Sequence, residues 1–370
     1  MNDWNYCIET LPKVSRTFAL NISVLKGNLH KSILVAYLFC RTIDNVEDAR
    51  KLDVPNKVRL LLGFASLLKD SENRNIALDE WLENISIVDG SPADLNLLKN
   101  TRRVFNVFES LQENYKQQII SSVCTMAQGM AYFQKKCNSE QITLLENANE
   151  LEEYCYFVAG AVGEMLCNLF LQEMPNLPAS SKETMLKTAV SFGLGLQITN
   201  ISKDIVVDRG RGWSYIPRSY IEANGLTSEE FHAGTSTKKD LKVLESLLVK
   251  TVGHLNDALD FTLAIPRSNM RVRLFCIWPL WMAMETVAVL HNNHDLLKSE
   301  ANVKISRQTV RGILRRTPFI CLSNSLLKQS FESILKPKEF NNPERFSLYA
   351  LKQRLGNLVL DDIPQKPKTA

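Results

Sequence analysis

Two apolar segments of this chain each carry acidic side chains at helical spacing. In the first, Ser32 to Arg50, the residues Tyr37, Arg41, Asp44 and Asp48 follow one another at i, i+4, i+7 and i+11. That spacing puts all four on one face of a helix, and the neighbouring residues are apolar nearly all round, which predicts a buried helix. Two carboxylates one turn apart on a buried helix repel each other unless a cation holds them. The arginine on the same face could pair with one of these carboxylates, but it suits a phosphate group more naturally.

The second segment, Ser191 to Asp208, repeats this arrangement. Gln197, Asn200, Asp204 and Asp208 lie at i, i+3, i+7 and i+11, and the other faces are apolar. Hard oxygen ligands of this kind suit Mg²⁺, which usually keeps waters and bridges to substrate phosphates. A single such pair is typical of a solvated helix face. Two pairs on otherwise apolar helices favour a metal–diphosphate site, with the carboxylates at the mouth of a cavity.

A third segment, Tyr154 to Gly163, places a tyrosine before a run of small residues. Glycine and alanine inside a helix permit the close approach of a neighbour or a ligand. Two interpretations therefore stay open, close helix packing and a wall for a long apolar ligand beside a reactive centre.

The elements that must position these residues are predicted to be helices. The 15 glycines and 13 prolines make 28 of 370 residues, about 8%, against an average near 12%. Helical periodicity is frequent and strand alternation almost absent, so the chain is predicted to be all-α. A hydrophobic share of 45% excludes disorder. The breaks do not resemble flexible linkers, so we predict one helical domain over 1–330 and a looser C-terminal extension over 331–370, its last ten residues disordered.

Charge and chain ends limit the partners. Lysine and arginine total 44 against 40 acidic residues, for a net charge of +4, and the charges are interspersed, which argues against nucleic acid. The N-terminus lacks the order of a signal peptide. The most apolar stretch, Leu274 to Leu290, contains Pro279 and Glu285 and falls short of a span, which needs about 20 clean apolar residues. We predict a cytoplasmic protein without a transmembrane segment, in peripheral contact with a membrane if its substrate is apolar.

As a set, these motifs resemble the squalene/phytoene synthase family, the head-to-head trans-prenyltransferases. The resemblance runs from about Tyr6 to Thr309 and rests on four stretches: VSRTFAL (Val14 to Leu20), RTIDNVED (Arg41 to Asp48), YCYFVAGAVG (Tyr154 to Gly163) and QITNISKD (Gln197 to Asp204). It implies the isoprenoid synthase fold, a single large all-α helical bundle with a central apolar cavity across which the two aspartate motifs face each other. It also implies two molecules of farnesyl diphosphate as substrate and Mg²⁺ as cofactor, with Mn²⁺ as an alternative.

Carried over position by position, the resemblance assigns roles to matching residues. The metal and diphosphate aspartates would be Asp44, Asp48, Asp204 and Asp208. The diphosphate-contacting positions would be Ser15, Arg16, Thr17, Tyr37 and Arg41, and the substrate-facing ones Gln197, Asn200 and Lys203. Tyr154 matches the catalytic tyrosine of the family, and Phe275 would line the pocket for the second half of the reaction unless it is plain core.

The chain departs from the family pattern around its second motif. Lys203 stands where an arginine is usual, Val207 where an acid is frequent, and Trp213 where a basic residue is usual, with Arg209 and Arg211 nearby. How this loop binds phosphate is therefore left open.

The product is open as well. RLFCIWPLWMAMETVAVLHNN (Arg273 to Asn293) and VKISR (Val303 to Arg307) resemble the squalene branch, which reduces its intermediate with NADPH. RGRGWSYIP (Arg209 to Pro217) is closer to phytoene and bacterial synthases. The alternative is therefore a phytoene or dehydrosqualene synthase, which transfers no hydride. The competing class is non-enzymatic, a helical scaffold with incidental acidic pairs.

Overall fold

The computed structural model describes residues 2–137, 142–233, 238–298, 303–335, 340 and 346–363. These residues are helical except for loops and one pair of two-residue strands, so the all-α prediction is confirmed. The chain divides into two compact units, each of which is described by itself. Unit 1 comprises the described residues of 2–137, 164–173 and 358–363, and unit 2 those of 142–163 and 174–357.

Unit 1 contains eight consecutive helices and a 3₁₀ turn, Ile85–Ile87, together with the part of a later helix that begins at Glu164. The helices are α1 Asp3–Val14, α2 Arg16–Ser23, α3 Gly27–Asp48, α4 Val54–Lys69, α5 Arg74–Asn84, α6 Pro92–Lys99, α7 Thr101–Glu109 and α8 Glu113–Gln134. The helix boundaries follow capping chemistry: Asp53 accepts from the Asn56 backbone N–H at 2.9 Å, and Ser15 accepts from that of Phe18 at 3.3 Å.

The core of unit 1 surrounds α3. Phe39 on that helix has its ring centroid 4.7 Å from Phe105, 5.4 Å from Phe108 and 5.5 Å from Phe64, rings contributed by α7 and α4. Burial of such rings supplies much of the hydrophobic stabilisation, and their edge-on and tilted contacts add to it. α3 is therefore held rigidly by three neighbouring aromatic side chains, and its polar face has a fixed direction.

Unit 2 holds the remaining elements. The strands are β1 Thr143–Leu144 and β2 Trp213–Ser214, which pair in parallel. The helices are α9 Ala148–Cys155, a π-helix Tyr156–Gly160, α10 Ala161–Glu173 (in unit 1 from Glu164 on), α11 Ala179–Arg209, α12 Arg218–Ala223, α13 Ser228–His232, α14 Lys238–Ala264, α15 Met270–Leu290, α16 Arg307–Ile320, α17 Asn324–Leu335 and α18 Leu348–Gly356.

The small residues after Tyr154 serve close helix packing. A Cβ on Gly193 of α11 would lie 2.3 Å from the Ala159 carbonyl oxygen, and one on Gly163 would lie 2.3 Å from the Ala189 carbonyl oxygen. Only glycine permits backbones to approach this closely. Of the two interpretations left open by the sequence, the structure supports close packing of the tyrosine-bearing helix against α11.

The C-terminal extension contributes α18 to unit 2. Arg354 donates to Glu152 at 2.5 Å and to Glu153 at 3.0 Å, both on α9, and Lys352 donates to the Tyr156 hydroxyl at 2.7 Å. The predicted domain boundary at residue 330 falls inside α17, and the division into a domain and an extension stays a prediction. The predicted disordered tail lies, from residue 364 on, outside the described residues.

Candidate active site

In unit 1, α3 places the first polar stripe as the spacing predicted. Tyr37, Arg41 and Asp44 are half-buried, and Asp48, in the last turn, is exposed. Burial raises the pKa of Asp44 to about 7; the charge of Arg41 opposes this shift, and the neighbouring charges of Asp48 and Asp94 add to it. The charged form of this carboxylate is therefore destabilised by burial, and a bound cation would stabilise it.

Arg41 is fixed by an acidic residue that the sequence did not point to. Its Nε and Nη2 donate to the two carboxylate oxygens of Asp94 at 2.9 and 3.0 Å, a bidentate pair. Ser91, the cap of α6, donates to Asp94 at 2.7 Å, so this carboxylate is itself held. The pairing orients the guanidinium and lowers the pKa of Asp94 despite its burial. The diphosphate role of Arg41 stays a prediction.

The start of α2 lies beside the same stripe. The Phe18 ring is 5.0 Å from that of Tyr37, centroid to centroid, and the Ser15 side chain forms a hydrogen bond with Tyr37. Burial raises the pKa of Tyr37 to about 12, so its hydroxyl stays protonated as a donor. Arg16 and Thr17 are exposed in the first turn of α2, where backbone N–H groups favour anions. The structure thus brings Ser15, Tyr37 and Arg41 together, and Arg16 and Thr17 follow Ser15 directly in the chain.

Glu47 is a carboxylate of this stripe that sequence reasoning missed. It is buried one turn after Asp44, and its Oε1 lacks a hydrogen-bond partner within the described part of the chain. Its pKa is raised to about 8, chiefly by burial; the charges of Asp48 and Asp44 contribute to this shift, and Lys57 opposes it. Its i+3 spacing from Asp44 was a signal in the sequence, since it shares the helical face.

The donors of this stripe fit Mg²⁺. Asp44, Glu47 and Asp48 offer hard carboxylate oxygens, and the two that are at least half-buried carry raised pKa values, which a divalent cation would reverse. Throughout the described ranges, however, no three acidic, histidine or cysteine side chains converge closely enough to hold a metal ion alone. The cation would therefore take its other ligands from diphosphate oxygens and water, as Mg²⁺ commonly does.

In unit 2, α11 places the second stripe. Lys203 Nζ lies 3.0 Å from Asp204 Oδ2 and donates to Asn200 Oδ1 at 2.8 Å. These two contacts position its ammonium group on the polar face of α11. Asp208, one turn later, is buried, with Arg211 Nη1 3.6 Å from its Oδ1. Gln197 is half-buried at the start of the stripe. Carboxylates and cations alternate here, which suits a metal-bound diphosphate.

Tyr154 belongs to an aromatic stack whose next ring, Tyr215, lies beside Asp208 of the second stripe. Its ring is 4% exposed and lies parallel to that of Tyr215 with centroids 4.4 Å apart, and Tyr215 stacks in turn on Trp213 at 5.4 Å. Tyr215 and Asp208 line one narrow crevice in unit 2, with Ile201, Ile205, Ser214 and Ile216. Tyr215 therefore connects the Tyr154 ring to the crevice that Asp208 lines.

Comparison with known proteins identifies the family. The family model for squalene/phytoene synthase matches residues 11–309. The chain belongs to the squalene/phytoene synthase family. It is 28% identical to the squalene synthase of Rattus norvegicus over 98% of this chain and 80% of the rat protein, and 29% identical to that of Mus musculus over 80% of this chain and 66% of the mouse protein.

A solved structure shares the fold closely. A complex of TcSQS with the ligand BPH1237 matches with a TM-score of 0.76 at 25% identity, over 96% of both chains. The chain spans 66 to 80% of the length of the two rodent relatives. The family and isoprenoid synthase fold implied by the sequence motifs are thus confirmed.

The structure accounts for two departures of this family member. Trp213, at the usual basic position, is buried in the stack with Tyr215. The cation that approaches Asp208 is Arg211, while Arg209 donates to the His232 carbonyl at 2.5 Å. Val207 is exposed. Of the two nearby arginines, Arg211 is therefore the one that lies beside Asp208, and its role in binding phosphate stays a prediction.

Phe275 lies in α15, which packs against α11 in unit 2, and is buried. Burial suits both a pocket wall and plain core, so its role in this family member stays a prediction.

The stability of the protein is expected to fall as pH rises, and Mg²⁺ to restore it. Asp44 and Glu47 have native pKa values raised to about 7 and 8, so between their ordinary values and these the native state binds more protons than the unfolded state. Unfolding free energy then decreases with rising pH. Thermal unfolding with and without Mg²⁺ should show a larger stabilisation by the metal at about pH 8 than at about pH 6. A metal effect independent of pH, or unchanged in an Asp44→Asn/Glu47→Gln variant, would contradict the site.

Proposed function

We propose that this protein acts as a squalene synthase, joining two farnesyl diphosphates head to head and reducing the product to squalene. The observation that carries the proposal is the pair of polar stripes. One lies on α3 beside the Ser15–Tyr37 contacts, and the other lies on α11 beside the Tyr154–Tyr215 stack. The family match and the rodent relatives named squalene synthase support it.

The residues of unit 1 bind a diphosphate. Arg16 and the first turn of α2 meet its negative charge, Tyr37 donates a hydrogen bond, and Asp44 and Asp48, with Glu47, supply oxygen ligands to the cation that accompanies it. Mg²⁺ or Mn²⁺, when bound, would neutralise the diphosphate and assist its departure from the allylic carbon. Arg41, oriented by Asp94, completes the cationic surroundings.

The residues of unit 2 serve the carbocation chemistry. Lys203 and Arg211 balance negative charge beside Asp204 and Asp208. The stacked faces of Tyr154 and Tyr215 stabilise positive charge by cation–π attraction. The Tyr154 hydroxyl relays the proton lost when the cyclopropyl diphosphate, presqualene diphosphate, forms. Buried aromatic and aliphatic side chains keep water away, since water would trap the cations as alcohols.

Electron balance requires a second substrate. Loss of diphosphate from presqualene diphosphate leaves a carbocation. Squalene contains two electrons and one proton more than this cation, and that difference is one hydride ion. The family resemblance names NADPH as its donor. Without hydride, loss of a proton from the same cation yields dehydrosqualene, or phytoene from the longer substrate.

The protein is also proposed to contact a membrane peripherally. Two helical stretches, Ala148–Glu173 and Met270–Leu290, are long and apolar enough to cross a membrane, and 56% and 72% of their apolar windows are buried within the protein. Buried core helices pass the same test. We place the protein at the cytoplasmic face of a membrane in peripheral contact, because its product is a water-insoluble hydrocarbon.

One set of incubations tests the function. The full chain is supplied with farnesyl or geranylgeranyl diphosphate and Mg²⁺, with and without NADPH, and hydrocarbons are identified by mass. We expect a thirty-carbon product that becomes squalene only when NADPH is present. A thirty- or forty-carbon polyene indifferent to NADPH would show a dehydrosqualene or phytoene synthase instead. Absence of Mg²⁺-dependent diphosphate release would contradict the enzymatic proposal as a whole.

A further inference from the structure

The segment from Val310 to Phe331 has an unusual charge composition for this chain. Lysine and arginine exceed acidic residues by only 44 to 40 over the whole sequence. This segment nevertheless holds four basic residues and no acidic one; they are Arg311, Arg315, Arg316 and Lys328. All four are exposed. A concentrated positive surface therefore stands on α16 and the start of α17.

The geometry of α16 separates an inner from an outer face. Ile313 and Thr317 are buried, and the Thr317 hydroxyl accepts a hydrogen bond from Trp278 Nε1 of α15 at 2.9 Å. On the opposite side, Arg311, Arg315 and Phe319 follow one another at i, i+4 and i+8, which is one helical face. This face points away from the core of unit 2.

Apolar side chains extend this face beyond the arginines. Phe319 is 83% exposed at the end of α16, Leu322 is 51% exposed in the turn that follows, and Leu326 is 47% exposed in the first turn of α17. Large apolar residues exposed singly are ordinary, but three within eight positions concentrate apolar surface at the end of α16 and the start of α17. Together with Arg311 and Arg315 they are called the α16 face below.

The fold does not compensate the charges of the α16 face. Like charges at i, i+4 oppose helix formation. Neither Arg311 nor Arg315 forms an ion pair with any acidic residue in the described part of the chain. A surface with uncompensated arginines next to exposed phenylalanine and leucine is complementary to a partner that is anionic in one layer and apolar in the next.

We infer that the α16 face docks onto the surface of a membrane that contains anionic lipids. Arg311 and Arg315 would contact the phosphates and carboxylates of the headgroups, and Phe319, Leu322 and Leu326 would enter the boundary between headgroups and acyl chains. A nucleic acid would satisfy the arginines but leave the apolar side chains in water, so an anionic bilayer suits all five side chains better. The inference deepens the membrane contact proposed above by naming its surface. Because binding is measured without turnover, its failure would leave the enzymatic function untouched.

Co-sedimentation of the full chain with vesicles tests the inference. Vesicles of phosphatidylcholine alone are compared with vesicles in which phosphatidylserine replaces part of it. We expect strong binding only to the anionic vesicles, weakened by salt. An R311Q/R315Q variant should lose about 25-fold in partitioning, since each of the two surface cations contributes roughly fivefold near such a membrane. An F319S/L322S variant should also bind more weakly, through lost apolar insertion.

Matched control variants test whether vesicle binding depends on the α16 face rather than on exposed charge or exposed apolar surface elsewhere. K99Q/K182Q removes two exposed basic residues elsewhere, and I76S removes an apolar side chain that is 71% exposed on α5. Both should bind vesicles as the parent does. Circular dichroism checks that every variant keeps its helices. The inference is overturned if the R311Q/R315Q and K99Q/K182Q variants bind equally, if the parent ignores phosphatidylserine, or if it binds an oligonucleotide duplex but no vesicle.

Discussion

An Asp44→Asn variant is expected to lose at least about a thousandfold in turnover of farnesyl diphosphate while its helical fold is retained. The carboxylate lies half-buried with a pKa raised to about 7, beside Asp48 and Glu47, where a cation and its diphosphate would meet it. An amide oxygen carries no charge to hold the cation. The loss equals about 4 kcal/mol of transition-state stabilisation, the order expected of metal assistance to a leaving group.

The variant should also be more stable than the parent protein at about pH 8 without Mg²⁺, because it removes a buried charge that the fold disfavours. Steady-state diphosphate release and thermal unfolding measure the two effects. Asp53→Asn is the matched control: Asp53 caps α4 from an exposed position, and asparagine caps a helix equally well, so activity and stability should not change. Near-normal turnover by Asp44→Asn would remove Asp44 from the metal assignment.

The same exchange at Asp204 tests the second stripe and should also abolish turnover. Here the neighbouring cation is Lys203, 3.0 Å away, so removal of the carboxylate leaves an unbalanced ammonium rather than relieving a buried charge. Stability should therefore not rise as it does for Asp44→Asn. The two variants would then resemble each other in activity and differ in their effect on stability at about pH 8.

The helices and faces of the two stripes were predictable because they depend on local periodicity. Residues at i, i+4, i+7 and i+11 share a face in any α-helix, and the apolar residues around them required burial. α3 and α11 therefore appear where the patterns placed them, and Asp44 and Asp208 are partly or fully buried. The shortage of glycine and proline indicated the helical class in the same way.

Partners distant in sequence were not predictable from one chain. Asp94 pairs with Arg41 across 53 positions, and Tyr215 stacks on Tyr154, which is also distant in sequence. No local pattern encodes either contact. A weaker signal did exist for Tyr215, since Trp213 and Tyr215 alternate as strand residues do and so share a face. The facing of the two aspartate motifs across a central cavity stays a prediction.

A Tyr154→Phe variant is expected to lose about a hundredfold or more in squalene formation, the lower end of what a positioned proton-transfer group contributes. Phenylalanine keeps the ring, so the 4.4 Å stack on Tyr215 and the fold should persist. Only the hydroxyl is lost, and with it the relay for the proton that leaves when the cyclopropane closes. Consumption of farnesyl diphosphate should therefore fall together with squalene, without accumulation of presqualene diphosphate. Product analysis by mass, with and without NADPH, measures both.

Tyr156→Phe supplies the control, because it removes a hydroxyl two residues away that accepts from Lys352 rather than facing the stack. Its activity should match that of the parent. Tyr154→Leu separates the ring from the hydroxyl: if the ring also stabilises cations, leucine should be clearly slower than phenylalanine and release more alcohol by-product. Accumulation of presqualene diphosphate in Tyr154→Phe would move the tyrosine to the second half of the reaction. Full activity in that variant would remove its hydroxyl from the chemistry, since the two aspartate stripes would then suffice without a tyrosine relay.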